Sequence, residues 1–366
     1  MHGILNSADL ELQVCVTGMH LSPEFGLTYK EIEKDGYTID SKVEMLLSSD
    51  TAGGVTKSMG LGLIGFADEL ERLKPDLVVL LGDRFEIMVA AIAATIARVP
   101  IAHIHGGEKT EGAFDEAIRH SITKMSHLHF VAVEEYRKRV IQLGESPNRV
   151  FCVGGLGVDN IFKLNLLSKQ ELEHSLDFEL GNKSMLVTFH PVTLECDSSS
   201  EQIRELLESL CDFMDHKIIF TMPNADTDGR EIFQLIENFC SDNNSCKAFT
   251  SLGQLRYLSC LKYVDLVIGN SSSGILEAPS FKIPTVNIGD RQKGRLKADS
   301  IIDCLPQKNS ISSAIKKAIS SDFKDSCNIV ENPYGGGGAS NEIISIIESI
   351  DLQSMIKKEF HDIEFN

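Results

Sequence analysis

The sequence is short of positive charge, of patterned cysteine and of long apolar runs, and each shortage excludes something. Lys and Arg number 35 against 53 Asp and Glu, a formal charge of −18 over 366 residues. That acidity excludes a sequence-independent nucleic-acid binder, which needs a broadly basic footprint. An anionic small ligand stays open, because a few arginines reverse the field locally. No apolar run reaches the ~18–20 residues of a membrane-spanning helix. The opening Met1-His2-Gly3-Ile4-Leu5-Asn6-Ser7 has neither the charge nor the apolar stretch of a signal peptide. The 9 cysteines form no CxxC pair and read as reduced core thiols of a cytoplasmic protein, not as a disulfide frame or zinc knuckle. No GxGxxG follows any apolar run, so no nicotinamide or flavin cofactor is expected.

What is present is an alternation. Short β-branched runs alternate with longer helical patterns, the signature of parallel α/β architecture. Residues 12–17 predict a strand. Val55, Met59, Leu63, Phe66, Leu70 and Leu73, at steps of three and four, predict one buried helix face. Pro75 stops that helix, and 77–81 reads as a continuous apolar strand covered on both faces. Further strands are predicted over 101–104, 130–133 and 150–153, with helices over 87–97, around 117–125 and ending near 143. Residues 162–183 are polar and read as an interdomain connection. The rhythm restarts with strands over 185–189, 217–221, 248–250, 266–268 and 285–288, and a Gly335–Gly338 loop precedes a last helical stretch. The two halves read as one architecture used twice.

In doubly wound sheets, ligands bind beyond the carboxyl ends of the strands. The residues that follow each apolar run are therefore the site candidates: Gly82-Asp83-Arg84, His105-Gly106-Gly107-Glu108, His190-Pro191, Pro223-Asn224 and Gly269-Asn270-Ser271-Ser272-Ser273-Gly274. The last runs into a helix predicted over 275–281, whose free N–H groups and dipole would receive a phosphate. An ordinary Ser-capped helix would look the same. Arg291 and Arg295 add the cations a diphosphate needs. Glu277, read in the first turn, either accepts from ribose hydroxyls or simply favours the helix N-terminus. Asp83 is placed as a catalytic base would be. Glu108, Glu111, Asp115 and Glu116 crowd one loop, as helix caps or as an acid/base pair. His103 and His105 share one strand face and admit a metal site, whereas His127 and His129 read as structural.

Together these motifs resemble the hydrolysing UDP-N-acetylglucosamine 2-epimerases of bacterial sialic- and legionaminic-acid synthesis, over almost the whole chain. The resemblance rests on Lys74-Pro75-Asp76, Gly82-Asp83-Arg84-Phe85, His103-Ile104-His105-Gly106-Gly107-Glu108 and Asp115-Glu116-Ala117-Ile118-Arg119-His120-Ser121-Ile122-Thr123-Lys124. It continues through His190-Pro191-Val192-Thr193, Gly269-Asn270-Ser271-Ser272 and Gly289-Asp290-Arg291-Gln292-Lys293-Gly294-Arg295. It implies two Rossmann-like domains facing a cleft, the GT-B arrangement: an N-terminal domain over 1–160, a connection over 161–183, a UDP-binding domain over 184–335, and a helical segment over 336–366 packing back on the first. It implies Asp83 and Asp115 as acid/base groups, with His105, Glu108 and His190 as further catalytic candidates. Arg84, Arg119, Asn224, Ser271, Ser272, Glu277 and Arg291 would bind the UDP-sugar. No metal or redox cofactor is implied, and a homodimer or homotetramer is.

The chemistry implied is elimination of UDP followed by hydration, releasing UDP and a free N-acetylmannosamine-type sugar. Two departures bear on it. Where many relatives carry HxEGG this chain has His105, which would suit a modified sugar such as UDP-2,4-diacetamido-2,4,6-trideoxyglucose. The family begins with a strand and a GTRxxxG loop, whereas this sequence reads as starting at Met1 inside what should be the following helix, so the first domain is expected to lack a central strand. Either a longer N-terminus or a poorly active form is then expected, and equal activity and thermal stability of this chain and one extended at its N-terminus would refute that. A non-hydrolysing epimerase, a GT-B glycosyltransferase and a non-catalytic nucleotide-sugar-binding protein are the rival readings.

Overall fold

The computed structural model describes residues 1–49, 51–109, 114–190, 199–222 and 229–364. The chain divides into two compact units. One takes Met1–Glu108, Phe114–Gly154 and the C-terminal stretch from Gly338; the other takes Gly155–Gly337.

The first unit holds two separate parallel sheets. Among the described residues β1 (Cys15–Thr17) pairs only with β2 (Ser41–Val43), while β3 (Val78–Leu81), β4 (Ile101–Ile104), β5 (Leu128–Val131) and β6 (Val150–Cys152) form a four-stranded sheet in that order. β4 and β5 are buried along their whole length, as strands covered on both faces must be. β3 is not so covered. It lies at the sheet edge, and its alternation buries Leu80 but leaves Val79 and Leu81 exposed. Thr51 caps the helix Ala52–Leu73 by accepting from Gly54 N–H at 3.1 Å. Its buried residues are Gly54, Ser58, Gly62 and Phe66, with Met59, Leu63 and Leu70 only half-buried beside them. The predicted face is thus turned by about one residue, because the small residues let β2 and the helix Phe85–Ala97 approach. A Cβ on Gly62 would lie 3.0 Å from both Met45 and Val89.

The second unit is a six-stranded parallel sheet ordered β12-β11-β10-β7-β8-β9, from β7 (Ser184–Thr188), β8 (Lys217–Thr221), β9 (Cys246–Phe249), β10 (Leu266–Gly269), β11 (Thr285–Ile288) and β12 (Ile301–Cys304). The order reverses between β7 and β10, which is where doubly wound sheets open a crevice for ligands. Residues 161–183, expected as a polar connection, carry the helix Lys169–Leu176 with a Ser168/Glu171 capping box. Leu172, Leu176 and Leu180 are buried in a core with Leu186, Ile219 and Val267 of the sheet. The apolar residues are sparse there, but four-residue spacing puts Leu172 and Leu176 on one helix face, and Leu180 follows beyond the helix end. β2 and β12 went unread, each a run of three or four residues containing a charge. All eight described cysteines are free, but Cys15, Cys152 and Cys211 are exposed and not in a core. Among the described residues no helix is long and apolar enough to cross a membrane.

Candidate functional site

The carboxyl ends of β3 and β4 in the first unit gather most of the sequence-predicted acid/base groups. Gly82, at φ +84, turns the chain out of β3 and presents Asp83. Arg119, buried on the helix Asp115–Met125, donates through Nη2 to Asp83 Oδ2 and through Nη1 to the Glu108 carbonyl at 3.0 Å. Glu116 Oε2 lies 3.5 Å from the same guanidinium. One buried cation thus ties β3, the β4 loop and the helix into one cluster.

His105 and His103 do not share a face. β4 ends at Ile104, and His105 takes φ +66, a left-handed conformation that costs a non-glycine residue about 1 kcal/mol or more. Its Nδ1 meets the buried Glu108 carboxylate at 2.7 Å. A carboxylate oxygen accepts, so Nδ1 is the donor in this bond, and Glu108 fixes the orientation of the imidazole. Glu108 therefore does not cap the helix, whose N-cap is Phe114 without a side-chain cap; Asp115 and Glu116 occupy its first turn. Arg84 lies 3.5 Å from the buried Glu86 carboxylate and reaches Met19 Sδ at 3.8 Å. His127 accepts from Ile101 N–H, and His129 bonds the buried Glu145 at 2.9 Å, so both serve the fold.

In the second unit the strand switch between β7 and β10 is held by a reciprocal pair of bonds. His190 N–H donates to Asn270 Oδ1 at 2.7 Å, and Asn270 Nδ2 donates to the His190 carbonyl at 2.8 Å. Gly269 makes this approach possible, since at φ +135 a Cβ there would lie 1.9 Å from the Thr188 carbonyl oxygen. The Asn270 carbonyl accepts from Arg291 at 3.0 Å and from Gln292 at 2.9 Å. Burial, then the nearby Arg291 charge, holds the His190 imidazole down at about 3, so it is neutral.

Ser271 and Ser272 stand at the start of a shorter helix than expected. It runs only over Ser273–Leu276, with Ser272 as N-cap, and gives way to a 3-10 turn over Ala278–Phe281. Pro279 explains the break: it has no N–H to donate and disfavours helical backbone at Ala278. Glu277 is consequently at the C-cap, not in a first turn, and the N-terminal charge argument for it does not hold. It is half-buried, accepts from Ser273 Oγ, and desolvation pushes its pKa up. Buried Asn270 and Gln292 and the Tyr257 phenol beside Glu277 were not predicted as site residues; Asn270 and Gln292 had a signal, inside the Gly-Asn-Ser-Ser-Ser-Gly run and the Gly-Asp-Arg-Gln-Lys-Gly-Arg motif. Asn224 and the Pro191-Val192-Thr193 part of the histidine motif lie outside the described residues.

Comparison with solved structures defines the class first: the chain is a two-domain α/β protein of GT-B fold. A UDP-GlcNAc 2-epimerase from Neisseria meningitidis, solved bound to UDP-GlcNAc, matches with a TM-score of 0.81 over 94% of this chain and 93% of that one, at 17% identity. A Staphylococcus aureus MnaA–UDP co-structure matches at 0.80 over 99% and 94%, also at 17%. The sequence goes further. Residues 3–348 match the UDP-N-acetylglucosamine 2-epimerase family, and the chain belongs to that family. A GDP/UDP-N,N'-diacetylbacillosamine 2-epimerase (hydrolyzing) of Campylobacter jejuni is 45% identical over 364 residues, 99% of this chain and 94% of that protein. A UDP-N,N'-diacetylbacillosamine 2-epimerase (hydrolyzing) of Legionella pneumophila is 35% identical over 351 residues, covering 96% and 91%. Polysialic acid biosynthesis protein P7 of Escherichia coli is 41% identical over 357 residues, covering 97% and 91%.

Proposed function

We propose that this chain is a hydrolysing UDP-sugar 2-epimerase whose sugar carries acetamido groups at C2 and C4, of the N,N'-diacetylbacillosamine type. The observation that carries the reading is the 45% identity over 364 residues to the hydrolysing Campylobacter jejuni enzyme. His105 in place of the glutamate of HxEGG supports a subgroup handling a modified sugar. The cytoplasm is the proposed setting, sialic- or legionaminic-type synthesis the proposed use of the product, and a homodimer or homotetramer the proposed assembly.

In the reaction, a base takes the proton from sugar C2. The C2–H electrons form the C1=C2 double bond while the C1–O electrons leave with UDP. Water then adds its oxygen at C1, and a proton returns to the opposite face of C2. The C2 proton is weakly acidic, so its base needs a close and dry approach. Asp83 is proposed for that step, with Asp115 and the His105–Glu108 pair as the groups that guide water and return a proton. Positive potential must be preorganised for the departing diphosphate. Arg84, Arg119 and Arg291, with Ser271, Ser272 and His190, are proposed to supply it, and Glu277 and Asn224 to hold the nucleoside.

Turnover in D2O without an acceptor, followed by NMR, tests the reading. Free UDP with a 2-deuterated mannose-configured 2,4-diacetamido sugar is expected. Preferential turnover of UDP-N-acetylglucosamine moves the substrate but not the reaction. A UDP-linked epimer, or binding with no turnover of either UDP-sugar, sinks the hydrolysing assignment.

A further inference from the structure

One wholly buried histidine sits beside the proposed base and takes no part in the chemistry above. His103, in β4, has both ring nitrogens engaged: Nε2 lies 2.8 Å from the Gly82 carbonyl and Nδ1 3.1 Å from Thr123 Oγ1. A carbonyl oxygen only accepts, so Nε2 carries the proton and Nδ1 accepts from the threonine hydroxyl. Burial holds the imidazole down at about 3, so it stays neutral and this pattern is fixed. Gly106 leaves the space for it, since a Cβ there would come within 3.0 Å of Thr123 Oγ1 and 3.2 Å of His103 Nδ1.

Gly82 is the residue before Asp83, and its own N–H donates to the Ile104 carbonyl at 3.1 Å. Thr123 lies one helical turn beyond Arg119 on the helix Asp115–Met125, hence on the same face. That helix therefore grips the turn after β3 at two points. Arg119 takes the Asp83 carboxylate directly, and Thr123 takes the Gly82 carbonyl through the imidazole. The second grip bears on the peptide between Gly82 and Asp83, whose orientation sets where the carboxylate points.

We propose that His103 is a positioning residue for Asp83, fixing the Gly82 carbonyl and so the turn that presents the carboxylate. The inference rests on the reading of Asp83 as the base. A base misplaced by about 1 Å can lose on the order of a hundredfold in rate. H103L keeps the bulk but cannot donate, whereas H103Q places an amide N–H where Nε2–H was. H103L is expected to lose at least about thirtyfold in kcat with KM within about threefold, and H103Q to regain most of it. Thr123→Val, which leaves the ring in place, is expected to lose less than H103L. Equal loss in H103L and H103Q, or parental kcat in H103L, overturns the proposal. A crystal structure of H103L decides independently of turnover. Asp83 still bonded to Arg119 on an unchanged Gly82 turn overturns the positioning role, whereas a rotated peptide supports it. A parent chain inactive on both UDP-sugars refutes the proposed function instead, and the crystallographic arm still decides this one.

Discussion

At the scale of single residues, the role proposed for Asp83 and those proposed for Ser272 and Glu277 differ in kind, and substitutions should separate them. Asp83→Asn is expected to abolish turnover while UDP affinity, measured by calorimetry, stays near parental, because it removes a base and not a phosphate partner. Ser272→Ala with Glu277→Gln is expected to weaken UDP binding by about tenfold or more. Parental turnover in Asp83→Asn would show that the base lies elsewhere. The buried histidines set a pH dependence of stability. His103 and His190 are held at about 3 in the fold, against an ordinary 6.5. Unfolding therefore takes up protons below about 6.5, so their contribution is complete above that pH and is lost as pH falls toward 3. Urea midpoints are expected to decline between roughly pH 6.5 and 5, and a flat profile there would refute the burial argument.

At the scale of elements, Gly269 is where strand geometry and site geometry coincide. Gly269→Ala puts a methyl into the Thr188 carbonyl at a backbone angle that L-residues avoid, so β7 and β10 must part. A loss of more than about 3 kcal/mol in unfolding free energy, or failure to fold, is expected from denaturation of the purified variant. The strand–helix rhythm and the strand-end motifs were legible because apolar runs between breakers report burial directly. The face of Ala52–Leu73 was not, because Gly54, Ser58 and Gly62 carry no apolar signal and act by permitting approach. The extent of the helix before Glu277 was open to reading, since Pro279 marks it. The helix Lys169–Leu176 was missed because three leucines among charges look like a linker until the sheet that receives them is known.

At the scale of the molecule, membership of a unit does not follow chain order. The stretch from Gly338 belongs with the first unit, where Lys358 Nζ donates to the buried Glu145 carboxylate at 2.6 Å and to the Lys124 and Ser126 carbonyls. Arg149 reaches the Met355 carbonyl at 3.0 Å, and His361 N–H donates to the Gly144 carbonyl at 2.9 Å. A lysine in a mixed C-terminal tail gives no sequence sign of such a tie, because its partners are over 200 residues away. The edge at β3 has a consequence for handling the protein. Among the described residues its one strand partner is β4, and Val79 and Leu81 stand exposed along it. An apolar, unguarded edge is a template for another chain to pair with, and proteins commonly place lysine there to prevent it. Light scattering should show self-association rising with concentration, and Leu81→Lys should suppress it with little change in unfolding midpoint. If the parent stays monodisperse on concentration, that edge is not accessible for pairing in solution.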